Sequence, residues 1–399
     1  MELNEKKNQI LLDLLGSALF HQPLTHQPEP ELLEQIFEES KHQTVVAMVC
    51  DVLPEEYAKQ TPEIFGRMQE YALKVVGSNS LVVRVENWVH TQLKKAGLPA
   101  CTIKGSASAR YYPDPLVRQM GDVDVLIDAQ MLDQVTQVLV KNGCKVKLPD
   151  HSFHRTFMKN GVCIEVHTQV GSLPKGREYI FDCLEGILSD IRYERFMDYD
   201  LPVPNRYYHG LVMLLHMQRH LMKGEGIGLR HLCDWAVFSN ACGDEFTQVF
   251  GKTLKEIGFW RFACALSCAA SRHLKMPARS WFADFDAPVA DALFLDIMQG
   301  GNFGQKDADR VKSSIFVERD SKKRATIVTL FRALNRQVYY KMPFFKRWKC
   351  LLPFGYIAYL FRLLWRLITR KTKVNVSDTV SRGKARNALY RNLQFFEKQ

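Results

Sequence analysis

Two aspartates, Asp122 and Asp124, lie two residues apart where acidic and aliphatic residues alternate, in Gly121-Asp122-Val123-Asp124-Val125. On a β-strand this spacing places both carboxylates on one face and both valines on the other. Neighbouring carboxylates repel each other, so a nearby cation favours the ionised form of both. Mg²⁺ prefers one or two such carboxylates together with phosphate oxygens and water. The chain has 43 acidic residues, so such pairs also arise by chance and the surrounding residues decide the interpretation.

A third carboxylate, Glu165, occurs in a second alternating segment, Ile164-Glu165-Val166-His167. If the two strands are neighbours, Glu165 completes a site for two metal ions roughly 3.5–4 Å apart. His167 shares the strand face of Glu165. The pattern leaves two interpretations of His167 open: it orients Glu165 or contacts substrate, or it is an ordinary partly buried histidine. His151 and His154 are weaker candidates of the same kind.

A possible phosphate-binding turn precedes these acids at Lys104-Gly105-Ser106. A turn from a strand into a helix lets backbone N–H groups and a hydroxyl approach a phosphate. An ordinary strand-to-helix turn is the alternative interpretation. Lys104 and Arg118 are the nearest cations for phosphate oxygens, and Arg118 could bind them in bidentate fashion. Surface exposure, or a structural pair of Arg118 with Asp114, is the alternative.

The elements that must position these residues form a small α+β unit. Patterning predicts strands at 99–103, 122–127, 144–148, 153–158 and 162–170, with Lys159-Asn160-Gly161 as a hairpin turn. A short helix is expected at 106–112, and a longer one from Asp128 to Asn142-Gly143. Helical patterns precede and follow this unit. We therefore expect a helical region at 1–95, the α+β core at 96–200, a helical domain at 201–340, and a basic aromatic segment with its tail at 341–399.

Histidines and glycines of the second helical region suggest other sites. His216 and His220 are four apart on a predicted helix, a spacing that can bind a transition metal, but a polar helix face turned towards the cleft is the favoured interpretation. The glycines of 224–228 follow no strand, so they predict a loop between helices rather than a dinucleotide site. Arg230 and Asp234, four apart, are expected to pair with each other.

The net charge of +11 is concentrated in one segment. Residues 341–373 contain nine Lys or Arg and no acid, whereas the rest of the chain has 45 basic and 43 acidic residues. This distribution argues against a nucleic-acid-coating surface, and no sequence-specific DNA binding is expected. The aromatic residues interleaved in 341–373 suit an anionic membrane surface or an acidic partner. A helical pair packed on the protein is the alternative. The charged N-terminus and the scattered cysteines predict a cytoplasmic protein, with peripheral attachment to the inner face of the membrane as an alternative.

Together, the Gly-Ser turn, the Asp-x-Asp pair and the later strand carboxylate resemble the polymerase-β-like nucleotidyltransferase superfamily. More closely, the chain is similar to the uncharacterised nucleotidyltransferase family of bacteria. The similarity includes Tyr111-Tyr112-x-Asp114-Pro115-x-x-Arg118 and Gly226-x-Gly228-Leu229-Arg230-x-x-Cys233-Asp234-Trp235. It also includes Pro343, Trp348 and Leu351-Leu352-Pro353, and so covers most of residues 98–365.

The resemblance implies a polymerase-β-like core, a small mixed sheet with helices, flanked by helical regions. It implies that Asp122, Asp124 and Glu165 bind two Mg²⁺ ions, with Mn²⁺ as the alternative. Gly105 and Ser106 would hold the triphosphate of an NTP, with Lys104 and Arg118 beside it, and Arg230 as a second phosphate contact. The implied activity is transfer of a nucleotidyl group to an unidentified acceptor hydroxyl or phosphate. A nucleotide-binding regulatory module without turnover, or a membrane-surface scaffold, is the alternative.

Overall fold

The computed structural model describes residues 5–26, 29–147, 153–174, 176–306, 310, 334–335, 338–339, 342, 344–347, 351–368 and 376–398. His151, Lys341, Pro343 and Trp348, which the sequence analysis names, therefore lie outside the described residues. None of the helices within the described ranges is long and apolar enough to cross a membrane.

A five-stranded mixed sheet forms the centre of the α+β unit. Its spatial order is β1-β2-β5-β4-β3; β2 and β5 run parallel and the other neighbours run antiparallel. The strands are β1 Ala100–Thr102, β2 Asp122–Ile127, β3 Lys145–Lys147, β4 His154–Lys159 and β5 Val162–His167. All five predicted strands are confirmed: β2 has the predicted ends, and the other strands differ from the prediction by one to three residues at one or both ends. Asn160 and Gly161 have φ of 49° and 82°, which is the geometry of the predicted two-residue hairpin turn.

The alternation in β2 and β5 separates the two faces of the sheet. Val123, Val125, Ile164 and Val166 are at most 1% exposed and pack in a common core. Helix α5, Pro62–Lys95, and helix α7, Leu132–Lys141, cover this apolar face. The acidic side chains consequently emerge on the opposite face. Asp128 accepts a hydrogen bond from the Gln130 N–H and caps the turn that leads into α7, as predicted.

Helices dominate both ends of the chain. The amino-terminal helices are α1 Lys6–Phe20, α2 Leu33–Gln43, α3 Val46–Asp51, α4 Glu55–Gln60 and α5, and a short helix α6, Ser106–Ala109, follows β1. After the sheet come α8 Arg206–Lys223, α9 Leu229–Cys242, α10 Phe246–Ile257, α11 Trp260–Leu274, α12 Ser280–Ala283 and α13 Ala287–Gly300. The described carboxyl-terminal helices are α14 Phe344–Arg347, α15 Leu352–Ile368 and α16 Val376–Leu393.

A two-stranded ribbon, β6 Ile191–Phe196 and β7 Tyr199–Pro204, is absent from the sequence interpretation. In the sequence, Pro202 and Pro204 were interpreted as the end of the α+β core, but both residues belong to β7. A strand with only one hydrogen-bonded neighbour tolerates proline, because the missing N–H can face away from that neighbour. Leu201 and Val203 of this ribbon are buried in the same core as the sheet.

Side chains divide the molecule into two hydrophobic clusters. One joins the sheet, α7, the ribbon and the carboxyl-terminal half of α5. The other joins α1–α3 with the helices that follow residue 206. The amino-terminal helices thus share a core with the carboxyl-terminal half, and α5 connects the two clusters. The cleft between sheet and helices contains the predicted site.

Candidate active site

Three carboxylates meet on the open face of the sheet. Because β2 and β5 run parallel and in register, Asp124 lies directly opposite Glu165. Oxygen atoms of Asp122, Asp124 and Glu165 all lie within 4.8 Å of one another. The structure therefore brings the three predicted acids together at one point.

Two basic side chains contact the central aspartate. Lys104 Nζ lies 2.6 Å from Asp124 Oδ1, and His167 Nε2 lies 2.7 Å from the same oxygen. His167 Nε2 also lies 3.3 Å from Glu165 Oε2. His167 thus bridges the two strands, which favours the interpretation that it orients the carboxylates.

The three acids do not ionise equally easily. Repulsion by Asp124, together with burial, raises the pKa of Asp122 to about 6. Burial opposes ionisation of Asp124, but the Lys104 charge and the His167 hydrogen bond outweigh it and lower its pKa. The hydrogen bond from His167 lowers the pKa of Glu165. Lys104 and His167 therefore do not fully neutralise the charge of Asp122 and Asp124. A cation would stabilise the ionised form of Asp122 more than that of the other two carboxylates.

The turn before α6 requires glycine. Gly105 has φ of 54° and ψ of −111°, a conformation essentially restricted to glycine. It places the backbone of Gly105 at the wall of the cavity, next to Lys104. The hydroxyl of Ser106 differs from the prediction: it is buried, donates to Met120 Sδ and bonds Glu86, and does not line the cavity. A contact of Ser106 with phosphate would have to come from its backbone.

Arg118 pairs with Asp234, the residue that the sequence interpretation paired with Arg230. Its Nε and NH2 donate to the two oxygens of Asp234 at 2.8 and 2.7 Å, and Tyr112 Oη donates to Asp234 at 2.7 Å. The predicted pair of Arg230 with Asp234 is wrong, because Arg118 occupies both carboxylate oxygens. Arg118 lines the cavity, but its forked hydrogen bonds are directed at Asp234, so phosphate binding by Arg118 stays a prediction.

Two other arginines of the cavity wall, Arg230 and Arg219, form no ion pair with any described residue. Arg230 donates to the Gln119 carbonyl at 3.2 Å, and burial lowers its pKa to about 10. The Nε atoms of Arg230 and Arg219 are buried, and the described part of the chain offers neither a hydrogen-bond partner. Neither arginine has a carboxylate within ion-pair distance among the residues that the structure describes. Arg219 was missed by sequence reasoning because an arginine on a helix carries no signal of its own.

His154 joins the site from β4, opposite His167. Its Nε2 lies 3.6 Å from Glu165 Oε1, and His154, Glu165 and His167 form a second group whose ligand atoms lie within 4.8 Å. This group shares Glu165 with the three carboxylates. The all-oxygen set suits Mg²⁺ better than the set with two imidazoles, which suits transition metals.

The site lies in a cavity of about 460 Å³ between the sheet and the helices. The helical wall includes three histidines, His216, His220 and His231, and the ring of Phe303. His216 and His220 therefore form the predicted polar helix face towards the cleft. His231 and Phe303 were not predicted as site residues, because neither lies in a pattern with the carboxylates.

Comparison with models of known protein families places the site in a family. The model of the family described as uncharacterised nucleotidyltransferase matches residues 30–275, which include every residue of the carboxylate site. No significant match was found among curated proteins or among solved structures.

Proposed function

The chain belongs to the uncharacterised nucleotidyltransferase family, and on that basis we propose that it transfers a nucleotidyl group from an NTP to an acceptor hydroxyl or phosphate in a metal-dependent reaction. The observation that carries this proposal is the convergence of Asp122, Asp124 and Glu165 beside the Gly105 turn. We assign the sheet and its flanking helices to a polymerase-β-like core.

The donor set fits divalent ions. Three carboxylates within 4.8 Å supply the hard oxygen ligands that Mg²⁺ prefers, and the raised pKa of Asp122 reflects repulsion that a cation would relieve. Bound Mg²⁺, with Mn²⁺ as an alternative, would supply charge neutralisation for phosphate oxygens. Asp122, Asp124 and Glu165 would hold two such ions.

Each protein group has a defined part in the transfer. The acceptor oxygen forms a bond to the α-phosphorus, and a hydroxyl acceptor gives up its proton to solvent water. The bond from that phosphorus to the bridging oxygen of the β-phosphate breaks, and pyrophosphate leaves. Lys104 and Arg230 are cations at the cavity wall that would neutralise phosphate charge, and the Gly105 turn lets the backbone approach it. Glu165 has a lowered pKa, which suits a metal ligand better than a proton acceptor.

Asparagine substitution of the aspartates tests the proposal. Asp122→Asn and Asp124→Asn remove charge with little change of shape, so both should reduce Mg²⁺-dependent transfer at least about 100-fold while both variants remain folded, as circular dichroism would show. Asp133→Asn, on the exposed side of α7, is the matched control and should keep full activity. Unchanged turnover in both site variants would refute the assignment.

The acceptor can be found by transfer from α-labelled NTPs into a cell extract. Incorporation of label into one small molecule, sugar intermediate, peptide or protein would identify its class. Calorimetry with ATP, CTP, GTP and UTP, with and without Mg²⁺, separates the enzyme from a regulatory module. Nucleotide binding without any product in mass spectra would favour the module and contradict the proposal.

A further inference from the structure

The helical wall of the cavity has the chemistry of a binding site for a planar ring. The imidazole of His220 and that of His231 lie 4.7 and 4.9 Å from the centre of the Phe303 ring. The His216 ring lies 4.5 Å from that of His220 and 6.0 Å from that of His231. All four residues line the same cavity as the carboxylates.

His231 presents a buried donor that no described residue satisfies. Its Nδ1 accepts a hydrogen bond from the Gly228 N–H at 3.3 Å, and burial lowers its pKa, so the ring is neutral. A neutral imidazole that accepts at Nδ1 carries its proton on Nε2. The side chain is 4% exposed, and Nε2 has no partner among the described residues. An unsatisfied buried donor costs roughly 1–3 kcal/mol, which a ligand atom could recover.

Asn302 supplies a matching acceptor. Its Oδ1 is buried and also lacks a hydrogen-bond partner among the described residues, and the residue lines the cavity. The turn Asn302–Gly304 packs tightly on the start of α9, because a Cβ at Gly228 would lie 2.7 Å from Asn302 N. The unpartnered donor and the unpartnered acceptor therefore belong to two elements in direct contact.

Phe303 is held at a conformational cost. Its φ of 51° and ψ of 35° are left-handed, a region that bulky residues rarely adopt. The side chain nevertheless remains 39% exposed, so burial in a core does not explain the conformation. Strained residues that expose a large ring at a cavity are typical of binding sites.

We propose that His231, Asn302 and Phe303 form the nucleobase subsite, in which the base stacks on Phe303 and bonds His231 Nε2 and Asn302 Oδ1. This inference rests on the proposed function. Every common base offers a planar ring with an acceptor and a donor along one edge. Lys104 and Arg230 lie in the same cavity, so one wall suits a ring and the neighbouring cations suit a triphosphate. A heteroaromatic ring of the acceptor has the same chemistry and is distinguished by the test.

Calorimetry with two probes tests the subsite. Mg²⁺ complexes of the four NTPs carry a base, whereas the Mg²⁺ complex of tripolyphosphate does not. Phe303→Asn removes the ring and relieves the left-handed strain. It should weaken NTP binding about 10-fold, leave tripolyphosphate binding unchanged, and keep or raise the melting temperature. His231→Leu removes the donor and should weaken NTP binding about 5-fold without affecting tripolyphosphate.

The matched control is Tyr179→Asn, since Tyr179 is an aromatic residue of similar exposure, 38%, outside the cavity. It should bind both probes like the wild type. Unchanged NTP affinity in Phe303→Asn, or an equal loss for both probes, would overturn the inference. If NTP affinity is unchanged and only the acceptor KM rises, the ring belongs to the acceptor and the assignment is overturned. These binding results do not require turnover, so they are independent of the asparagine test above.

A separate observation concerns helix α15. Phe354, Ile357 and Phe361 lie on one side of it and are 65%, 65% and 68% exposed. Gly355 is buried on the other side, where a Cβ would lie 2.8 Å from Val338 Cγ1. Among the described side chains of α15, Phe354, Ile357 and Phe361 therefore form an exposed apolar stripe, and Gly355 is packed on the other side.

The geometry points to an anionic membrane surface as the occupant of this stripe. In sequence, the segment 341–373 that contains this helix has nine Lys or Arg and no acid, a composition complementary to acidic lipid headgroups. An apolar stripe flanked by basic residues is the pattern of helices that lie in the membrane interface. Charge complementarity and the exposed rings thus favour lipid over an apolar protein partner.

Vesicle co-sedimentation of the full chain tests this surface. The protein should sediment with phosphatidylglycerol-containing vesicles and not with pure phosphatidylcholine vesicles, and the double variant Phe354→Asp/Phe361→Asp should lose at least about 10-fold of the binding. Leu73→Asp, at an equally exposed apolar position of α5, is the control and should bind normally. Absence of sedimentation by the intact protein would refute the surface. The surface would also be refuted if the intact protein forms a dimer and the double variant does not.

Discussion

The backbone at Gly105 makes the strongest single demand on residue type in the site. A side chain at φ 54° and ψ −111° is strained even where space is available. Gly105→Ala should therefore lower the free energy of unfolding by about 1–3 kcal/mol. It should also shift the turn that holds Lys104 against Asp124. The rate of nucleotidyl transfer should therefore fall more than the loss of stability alone explains. Urea unfolding and initial rates of transfer measure the two effects.

Gly77→Ala is the matched control for this substitution. Gly77 lies in the middle of α5 and is exposed to solvent, and a Cβ added there would meet no atom within 4 Å. The same added methyl group should raise the free energy of unfolding by about 0.5–1 kcal/mol. Equal effects of the two substitutions would contradict the argument from backbone conformation.

Sequence reasoning located the residues whose roles depend on local spacing. Asp122, Asp124 and Glu165 follow from strand alternation, because each strand determines its own faces before any packing is known. Arg118 could not be placed in this way, since its partner Asp234 is 116 residues away. Ser106 was also misjudged, because a turn does not determine where its hydroxyl points.

The Arg118–Asp234 pair connects the sheet unit to the helical half. Arg118 precedes β2 and Asp234 belongs to α9, and their side chains are only 6% and 8% exposed. Removal of one partner leaves a buried charge without compensation, so Asp234→Ala should lower the free energy of unfolding by about 3–5 kcal/mol. Chemical denaturation of the purified variant measures this loss.

The exposed ion pair Arg67–Glu34 has similar hydrogen-bond geometry and provides a comparison for the effect of burial. Arg67 donates to both oxygens of Glu34, with the two side chains 46% and 43% exposed. Glu34→Ala should cost at most about 1 kcal/mol, because solvent screens the pair. The double variant Arg118→Leu/Asp234→Leu should be more stable than Asp234→Ala, since it removes both buried charges. A double variant that is the less stable of the two would refute the explanation.

Helices and strands were predictable where apolar residues recur along the sequence with a clear period. Acidic and aliphatic residues alternate clearly in β2 and β5, whereas the β6–β7 ribbon contains prolines that imitate a boundary. Which helices share a core was not predictable, because an apolar helical face does not specify its partner. The packing of α1–α3 on the helices after residue 206 depends on complementary surfaces far apart in sequence.

The whole molecule buries several histidines in the neutral form. Burial lowers the pKa of His90 to about 3, and burial also lowers the pKa of His209 and His231 well below the usual value. These groups bind fewer protons folded than unfolded once the pH falls below about 6.5. Their contribution to stability is thus complete above pH 6.5 and is lost progressively as the pH falls.

Two groups at the carboxylate site act in the opposite direction. Hydrogen bonds to Asp124 and Glu165 outweigh burial and raise the pKa of His167, and repulsion by Asp124 raises that of Asp122. Both bind more protons in the folded state, so they stabilise the protein as the pH falls. The buried histidines are more numerous and more strongly shifted, and they determine the sign of the net change.

We therefore expect the melting temperature to fall between pH 7.5 and pH 5, with His90 alone contributing about 2 kcal/mol of the loss at pH 5. His90→Gln keeps a partner for the Thr102 hydroxyl, which lies 2.8 Å from His90 Nε2, and should flatten the profile. His42→Gln, at an exposed position of α2, should leave the profile unchanged. Differential scanning fluorimetry across this range measures the three profiles. A wild-type melting temperature that stays constant down to pH 5 would show that these histidines are accessible to protons in the folded state.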